Sequence, residues 1–205
     1  MLQSKVAADV FNPWTDVDAS TDLDAGAPVA RRRRLQAHLA TDAAVLLIGE
    51  AAGYQGCKVS GIAFTSERLV IEGAIPRVTA GTARLSSRRR PWSEPSATTV
   101  WKTLYSLDIA ARTVLWNAFP WHPHRPGLPH SNRMPSRIEL AAGLPVLEVL
   151  LRLFPRAQVF AVGRRAAASL ARLGVAAVPL RHPSMGGAAT FARQLQMELH
   201  RSAPG

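Results

Sequence analysis

The stretch Ala43-Ala44-Val45-Leu46-Leu47-Ile48-Gly49-Glu50-Ala51-Ala52-Gly53 joins a short apolar run to a glycine-rich turn. The apolar run is too short for a helix and ends at a turn, so it predicts a buried strand over residues 43–48. Two other apolar runs end in Asn117 and in His182-Pro183-Ser184. The carboxyl ends of parallel strands meet at one edge of a sheet, where open α/β folds build their sites. We therefore expect these three stretches to lie together.

Apolar runs and helical patterns alternate along the rest of the chain. A capping box of Ser136 and Glu139 predicts the start of one helix, which we expect to break at Gly143 and Pro145. Strands alternating with helices indicate an α/β fold, with a central four-stranded parallel sheet in a three-layer α/β/α arrangement. The further strands are predicted at 113–116, 157–162 and 175–180, and the helices at 31–39, 96–107, 136–154, 164–173 and 188–200.

The length of 205 residues and a hydrophobic content of 47% predict one domain over residues 1–205. Residues 1–30 hold five aspartates and one lysine, and we expect them to form an irregular acidic arm with Trp14 docked on the body. Residues 73–95 are rich in Gly, Pro, Ser and Thr and contain the run Arg88-Arg89-Arg90. Their composition predicts a long surface excursion.

Charge is distributed unevenly along this chain. The net charge is +11, and because the acidic arm contributes −4, residues 31–205 carry about +15. Lysine and arginine that neutralise phosphates release condensed counterions, so nucleic acid is the expected partner. An arginine-rich composition can also reflect a GC-rich genome, but the charge favours nucleic acid.

Cys57 is the only cysteine, so neither an intramolecular disulfide nor a cysteine-ligated iron-sulfur cluster can form within one chain. The sequence has no run of about 18 uncharged apolar residues and no basic segment leading into an apolar one at its start. We therefore expect no membrane span, and a cytoplasmic protein that is nucleoid-associated if it is bacterial.

In this order, the three stretches resemble the uracil-DNA glycosylase superfamily over about residues 43–191. The resemblance is closest to the iron-sulfur (family 4-like) class, which also has alanine at the position of Ala51. The cluster cysteines of that class are missing here, which implies that packing has replaced the cluster, through Trp116, Phe119 and Trp121. The downstream residues that add to the resemblance are Pro123, Asn132, Arg133, Pro135 and Glu139.

The resemblance implies a role for each conspicuous residue. Phe64 would stack on an extruded base, and the Asn117 amide would read the carbonyl and N–H pair on its edge. His182 would stabilise the charge that builds on O2 of the departing base. The implied catalytic residues are His182, Glu50 and Asn117. The implied base-binding residues are Gly49, Ala51, Gly53, Tyr54, Phe64 and Asn117. The implied DNA-binding residues are Ser184, Met185 (which would fill the gap in the duplex), Arg88, Arg89, Arg90 and Arg133.

Departures from the superfamily pattern matter as well. Ala51 stands where the best-known members carry an aspartate that positions the attacking water, so catalysis would depend on Glu50, backbone dipoles and His182. Gly53 stands where some relatives use tyrosine to exclude the thymine methyl, which predicts a roomier pocket and a wider base range. The run from Arg88 to Trp92 has no histidine, whereas one branch traps the sugar through such a residue. Turnover is therefore favoured over covalent trapping.

The sequence thus predicts a monomeric, monofunctional glycosylase that removes uracil from DNA and needs no cofactor and no metal, with hypoxanthine and xanthine as further candidate bases. The alternative is a lesion-binding protein of the same fold with little turnover, which Ala51 makes credible. A hydrolase of small nucleotides is disfavoured by the charge, and an esterase by the absence of a Gly-x-Ser-x-Gly elbow. A metal site of His122, His124 and His130 is the weakest alternative, because no carboxylate or thiolate accompanies the histidines.

Overall fold

The computed structural model describes residues 8–79 and 83–202. Its strands are β1 (Val10–Phe11), β2 (Val45–Ala51), β3 (Thr113–Phe119), β4 (His122–Pro123), β5 (Gln158–Val162) and β6 (Val178–Leu180). Its helices are α1 (Ala27–Leu39), α2 (Cys57–Ser60), α3 (Glu67–Ile71), α4 (Pro95–Ser106), α5 (Arg137–Leu153), α6 (Arg164–Arg172) and α7 (Ala188–Ser202). In this part of the chain, four strands form a parallel sheet in the order β3-β2-β5-β6, while β1 and β4 pair antiparallel. The predicted three-layer fold is confirmed.

Strands β2 and β3 are buried on both faces over most of their length, which explains why they read as apolar runs. On β2, Leu46 and Ile48 belong to the core on one face of the sheet. Val45 and Leu47 belong to the core on the other face, as expected from the two-residue side-chain period of a strand. One layer contains α5 and α6, and the other contains α3, α4 and α7.

The amino-terminal arm is more ordered than its composition predicts. Its described part contributes β1, which pairs with β4, and α1 begins at Ala27 instead of Arg31. Trp14 docks on the body as expected: its ring stacks on Trp116 with 5.6 Å between centroids and 8° between planes. Trp14 Nε1 also donates to the carbonyl of Gly61 at 3.1 Å. Residues 1–7 of the predicted arm lie outside the described residues.

Acidic residues of the arm neutralise cations buried in the body. Asp22 pairs with Arg31 on α1, which is 1% exposed and also donates to backbone carbonyls. Asp18 accepts from Lys58 Nζ at 2.5 Å, and Lys58 is 2% exposed. Buried charges need such partners, because an unpaired buried ion is strongly destabilising. Part of the positive charge of residues 31–205 is therefore used inside the fold.

Helix α5 is continuous through the break that the sequence predicts at Gly143 and Pro145. The capping box of Ser136 and Glu139 is present as expected. Pro145 has no N–H to donate to the preceding turn, but the buried face of α5 compensates through its packing on the sheet. Gly143 is needed for close approach, because a Cβ there would lie 2.2 Å from the carbonyl oxygen of Ala118 on β3.

Residues 73–95 were predicted to form a surface excursion, but the described part of this segment, 73–79 and 83–95, packs on the body. Residues 80–82 lie outside the described residues. Ile75, Val78 and Trp92 are buried. The fully buried Glu67 carboxylate accepts hydrogen bonds from the backbone N–H groups of Leu85, Ser86 and Trp92 and from the Ser86 hydroxyl. This carboxylate therefore ties the segment to α3, an interaction between distant residues that sequence periodicity does not predict.

Two buried histidines predict how stability depends on pH. Burial lowers the pKa of His38 to about 3 and that of His122 to about 4, both below the usual value of 6.5. Below pH 6.5 the unfolded chain takes up protons that the folded protein does not, so stability falls as pH falls. From pH 7 to pH 5 we expect each histidine to lower the free energy of unfolding by about 2 kcal/mol.

Urea unfolding at pH 7, 6 and 5 measures this effect. A His38→Gln variant should show a shallower pH dependence than the wild type. His200→Gln, a substitution on the exposed part of α7, is the matched control and should keep the wild-type slope. An unfolding free energy that stays constant from pH 7 to pH 5 would contradict the argument.

Candidate active site

The three sequence stretches meet at one edge of the sheet, as predicted. Gly49 on β2 lies directly opposite Asn117 on the neighbouring strand β3. The other neighbour of β2 is β5, and the next strand, β6, leads directly into His182. After β2 the chain continues to β3 on one side of it, and the later strands β5 and β6 lie on its other side. Crevices form at the strand ends where the strand order reverses in this way in open parallel sheets.

Gly49 brings the Asn117 amide and the Phe64 ring into the same small space. A Cβ on Gly49 would lie 2.6 Å from Asn117 Oδ1 and 2.6 Å from Cε2 and Cζ of Phe64. Such distances are well inside van der Waals contact, so the site requires glycine here. The amide that was predicted to read a base and the ring that was predicted to stack on it are therefore neighbours.

Phe64 is held in a backbone conformation that side chains rarely adopt, with φ of 48°. Its ring lies 5.9 Å from the imidazole of His182, between centroids, at an interplanar angle of 40°. Phe64 is buried, with 8% of its surface exposed. Strained residues of this kind persist where the surrounding structure requires them, and they cluster at functional sites.

Hydrogen bonds fix the tautomer of His182. The backbone N–H of Ser184 donates to His182 Nδ1 at 3.1 Å, and the Ser184 hydroxyl lies 2.8 Å from the same nitrogen. Because Nδ1 accepts, the proton of the neutral ring must be on Nε2. Burial, assisted by the nearby charge of Arg181, lowers the pKa of His182, which favours this neutral form. His182 therefore presents one N–H donor, and Ser184 has a positioning role.

Met185 lies at the tip of a tight turn and is 90% exposed. The N–H of Gly187 donates to the Ser184 carbonyl at 3.0 Å, and both central residues have positive φ, 53° for Met185 and 74° for Gly186. These are the features of a type I′ turn, in which methionine is strained. A strained turn that holds a long apolar side chain in solvent is suited to inserting it into a partner.

Glu50 follows Gly49 and is partly buried. Its Oε2 atom lies 3.4 Å from Arg165 Nε on α6. Burial raises the pKa of Glu50, and the charge of Arg165 opposes that shift. The next residue, Ala51, supplies no polar atom from its side chain, so the carboxylate at this end of β2 comes from Glu50.

Side chains from the loop after β3 hold the turn of residues 49–56 in place. His122 Nδ1 lies 2.8 Å from the Ala52 carbonyl oxygen, and Asn132 Oδ1 accepts from the Tyr54 N–H at 3.0 Å. His124 contacts the Arg125 carbonyl and His130 contacts Asp18, so the three histidines of the weakest alternative have separate partners. Among the described residues, no group of three or more His, Cys, Asp or Glu could hold a metal ion.

The predicted DNA-binding arginines have different environments. Arg88, Arg89 and Arg90 are exposed, and the Arg88 guanidinium stacks on Trp92 with 3.8 Å from Cζ to the ring centroid. Arg133 instead pairs with both Glu139 and Asp9, and it donates to both carboxylate oxygens of Glu139. This pairing gives Arg133 a structural role that its position in the sequence did not indicate.

A basic groove beside His182 was missed by the sequence reasoning. It encloses about 600 Å³, and its lining includes Glu50, Arg164, Arg165, Arg181 and His182. Arg164 and Arg165 begin α6 directly after β5, and Arg181 directly follows β6. The available signal was the position of these arginines at the carboxyl ends of two predicted strands.

The space in front of Gly53 is occupied, which corrects the expectation of an open pocket there. Oε1 of Glu94 would lie 3.0 Å from a Cβ built on Gly53. Glu94 precedes α4 and is 41 positions further along the chain. Sequence reasoning could not place it because nothing local connects the two segments.

Comparison with known proteins identifies the family of this chain. The family model of the uracil DNA glycosylase superfamily matches residues 36–200, so the chain belongs to this superfamily. No curated protein sequence matches the chain significantly. The assignment to the iron-sulfur class stays a prediction.

A solved structure supports the fold. The crystal structure of wild-type Pedobacter heparinus SMUG2 is similar, with a TM-score of 0.61 over 98% of this chain and 92% of that one. The two sequences are 11% identical, so the likeness concerns the fold alone.

In the described part of the chain, no helix has the length and apolar character to cross a membrane.

The geometry of His182 predicts its contribution to the reaction. Replacing His182 with alanine removes one fixed donor, and we expect the single-turnover rate to fall about 10²- to 10³-fold with little loss of DNA binding. Ser184→Ala keeps the backbone N–H that orients the ring and should have a smaller effect. Rapid-quench excision assays measure the rates, and an unchanged rate for His182→Ala would remove this residue from the mechanism.

Proposed function

We propose that this member of the superfamily removes uracil from DNA by hydrolysing the N-glycosidic bond and leaves an abasic site. The observation that carries the proposal is the meeting of three groups at one edge of the sheet: the Asn117 amide, the Phe64 ring and the Nε2–H of His182. An amide, a ring and a fixed donor match the hydrogen-bonding edge, the face and the departing charge of a uracil base.

Base recognition would use Asn117 and Phe64. The amide offers a donor beside an acceptor, which complements the carbonyl and N–H of uracil. The Phe64 ring would stack on the base once it has left the duplex. The close approach at Gly49 supports this arrangement, because it sets the amide and the ring against each other without an intervening side chain.

Bond breaking would use His182 and Glu50. As the bond from C1′ of the sugar to N1 of uracil breaks, the electron pair leaves with the base and negative charge builds on O2. The Nε2–H of His182 would donate to O2 and stabilise that charge more in the transition state than in the ground state. Water would then bond to C1′ and lose its proton to the Glu50 carboxylate. No cofactor enters these steps.

DNA binding would use Met185 and the basic surfaces. The exposed Met185 side chain would fill the gap left by the extruded nucleotide, as apolar wedges do between base steps. The groove with Arg164, Arg165 and Arg181 lies next to His182 and would hold the phosphates of the strand that carries the target. The exposed run at 88–90 would add further phosphate contacts.

Hypoxanthine and xanthine are further candidate substrates, because each carries a carbonyl beside an N–H that Asn117 would pair with. Their larger rings must fit beside Glu94. The same assay therefore includes them together with uracil and thymine.

The decisive test is incubation with labelled oligonucleotides that contain one of these bases opposite guanine, followed by alkali. Strand cleavage at uracil supports the enzyme. A mobility shift without cleavage would instead support the lesion-binding protein of the same fold. If neither cleavage nor a shift is seen, both hypotheses are excluded. Single-stranded and double-stranded substrates run in parallel show which form is preferred.

The groove makes a separate prediction about salt. Replacing Arg164 and Arg181 with glutamine should weaken binding to all DNA sequences alike and reduce the slope of log affinity against log salt by about 2, because each phosphate contact adds about 0.9. Fluorescence anisotropy at several salt concentrations measures the slope. Arg152→Gln and Arg172→Gln, made together on exposed helix positions, form the charge-matched control. An unchanged slope would place the DNA strand elsewhere.

A further inference from the structure

Glu94 occupies the position before the first residue of α4 but does not cap the helix. Its side chain makes no capping hydrogen bond to the helix N–H groups. The carboxyl group instead lies over the turn that follows β2. Its Oε1 would be 3.0 Å from a Cβ on Gly53, and its Oε2 would be 2.1 Å from a Cβ on Gly56. The two glycines therefore leave the space that this carboxyl group fills.

Glu94 is half-buried, and its carboxyl group has no hydrogen-bond or ion-pair partner among the described residues. Two more deeply buried carboxylates, Glu67 and Glu139, differ from it in this respect. Glu67, which begins α3, accepts four hydrogen bonds. Glu139 pairs with Arg133 and completes the capping box of α5. The half-buried carboxyl group of Glu94, which lies over the turn, is thus available to contact a ligand.

The environment of Glu94 leaves its carboxyl group able to donate or accept. Burial raises its pKa to about 7, well above the usual value for glutamate. Near neutral pH a fraction of the molecules then carries a protonated carboxyl group.

The turn connects Glu94 with the base-reading residues. Near the end of β2, Gly49 is in contact with Asn117 and Phe64, and Gly53, four residues further along, faces Glu94. Four peptide units separate these glycines, so their Cα atoms lie within about 14 Å of each other. Glu94 therefore lies near one end of the segment 49–53, and the Asn117 amide and the Phe64 ring lie near its other end.

We propose that Glu94 is a specificity-determining residue: its carboxyl group forms the polar wall of the base pocket in front of Gly53. The proposal rests on the proposed glycosylase function and identifies which bases that site accepts. A carboxyl group in this position accepts a base edge that carries hydrogen-bonding atoms. It disfavours the 5-methyl group of thymine, which would remove solvent from the carboxyl group without replacing its hydrogen bonds.

The test compares excision of uracil and of thymine, each opposite guanine, by the wild type and three variants under single-turnover conditions. Glu94→Ala removes the wall, and we expect the rate for thymine relative to uracil to rise about tenfold or more, the effect of one methyl group in such a pocket. Glu94→Gln keeps the size and polarity and should keep the wild-type ratio. Glu94→Ser also removes the carboxyl group but provides a favoured helix cap, so it should fold even if the alanine variant does not.

The ratio of the two rates separates specificity from a structural role. If Glu94 only supports the fold, its removal slows both reactions equally, and an unchanged ratio in the alanine and serine variants would overturn the proposal. Glu148→Gln is the control for loss of one negative charge, because Glu148 is exposed on α5 and pairs with Arg152.

A binding measurement covers the case in which the protein does not cleave. Oligonucleotides with 2′-fluoro-2′-deoxyuridine or its 5-methyl analogue resist hydrolysis of the glycosidic bond, and fluorescence anisotropy gives their affinities. If the wild type excises no base, the glycosylase proposal fails, and this affinity ratio decides the role of Glu94 alone. A ratio that shifts toward the methylated base in Glu94→Ala and Glu94→Ser supports the wall, and an unchanged ratio excludes it.

Discussion

The close approach at Gly49 is the constraint on which the site depends. With no side chain on Gly49, the Asn117 amide and the Phe64 ring meet over the end of β2, and Phe64 in turn lies against His182. The parallel register of β2 and β3 sets Gly49 opposite Asn117, so the sheet itself fixes the distance between the first two groups. Phe64 reaches this place only by adopting a positive φ, which costs on the order of 1 kcal/mol or more. The packing of two helical layers on the sheet holds this strained arrangement.

The amino-terminal segment neutralises charges that are buried in the fold. Arg31 and Lys58 are almost fully buried, and their partners Asp22 and Asp18 come from the segment that its composition marks as an acidic arm. Removing one partner of a buried pair is strongly destabilising, about 3 to 5 kcal/mol, because the other charge stays buried. Trp14 adds an apolar anchor by stacking on Trp116. Net charge counted along the sequence therefore overstates the charge that is available to DNA, and the exposed arginines of the groove and of the run at 88–90 are the relevant ones.

The sequence predicted the parts of this structure that local patterns encode. The four sheet strands, the capping box of α5 and the meeting of three strand ends follow from periodicity, from turn residues and from the geometry of parallel sheets. Other parts depend on residues that are far apart in the chain. Glu67 binding residues 85–92, Arg133 bridging Asp9 and Glu139, and Glu94 facing Gly53 have no local signal. Pro145 shows the converse, since a strong local signal for a helix break was overridden by the packing of α5 on β3.

Polar groups are satisfied differently at the site and elsewhere. Two charged groups buried away from the sheet edge have several partners each: Glu67 accepts four hydrogen bonds, and Arg31 has both an ion pair and backbone acceptors. At the edge, His182 uses Nδ1 within its own loop and leaves Nε2–H for another molecule, and Glu94 has no described partner. Such groups add little to the stability of the free protein, because they make no hydrogen bond within it. A ligand that supplies the missing partners is bound in preference to one that does not, so these groups serve specificity in binding rather than folding.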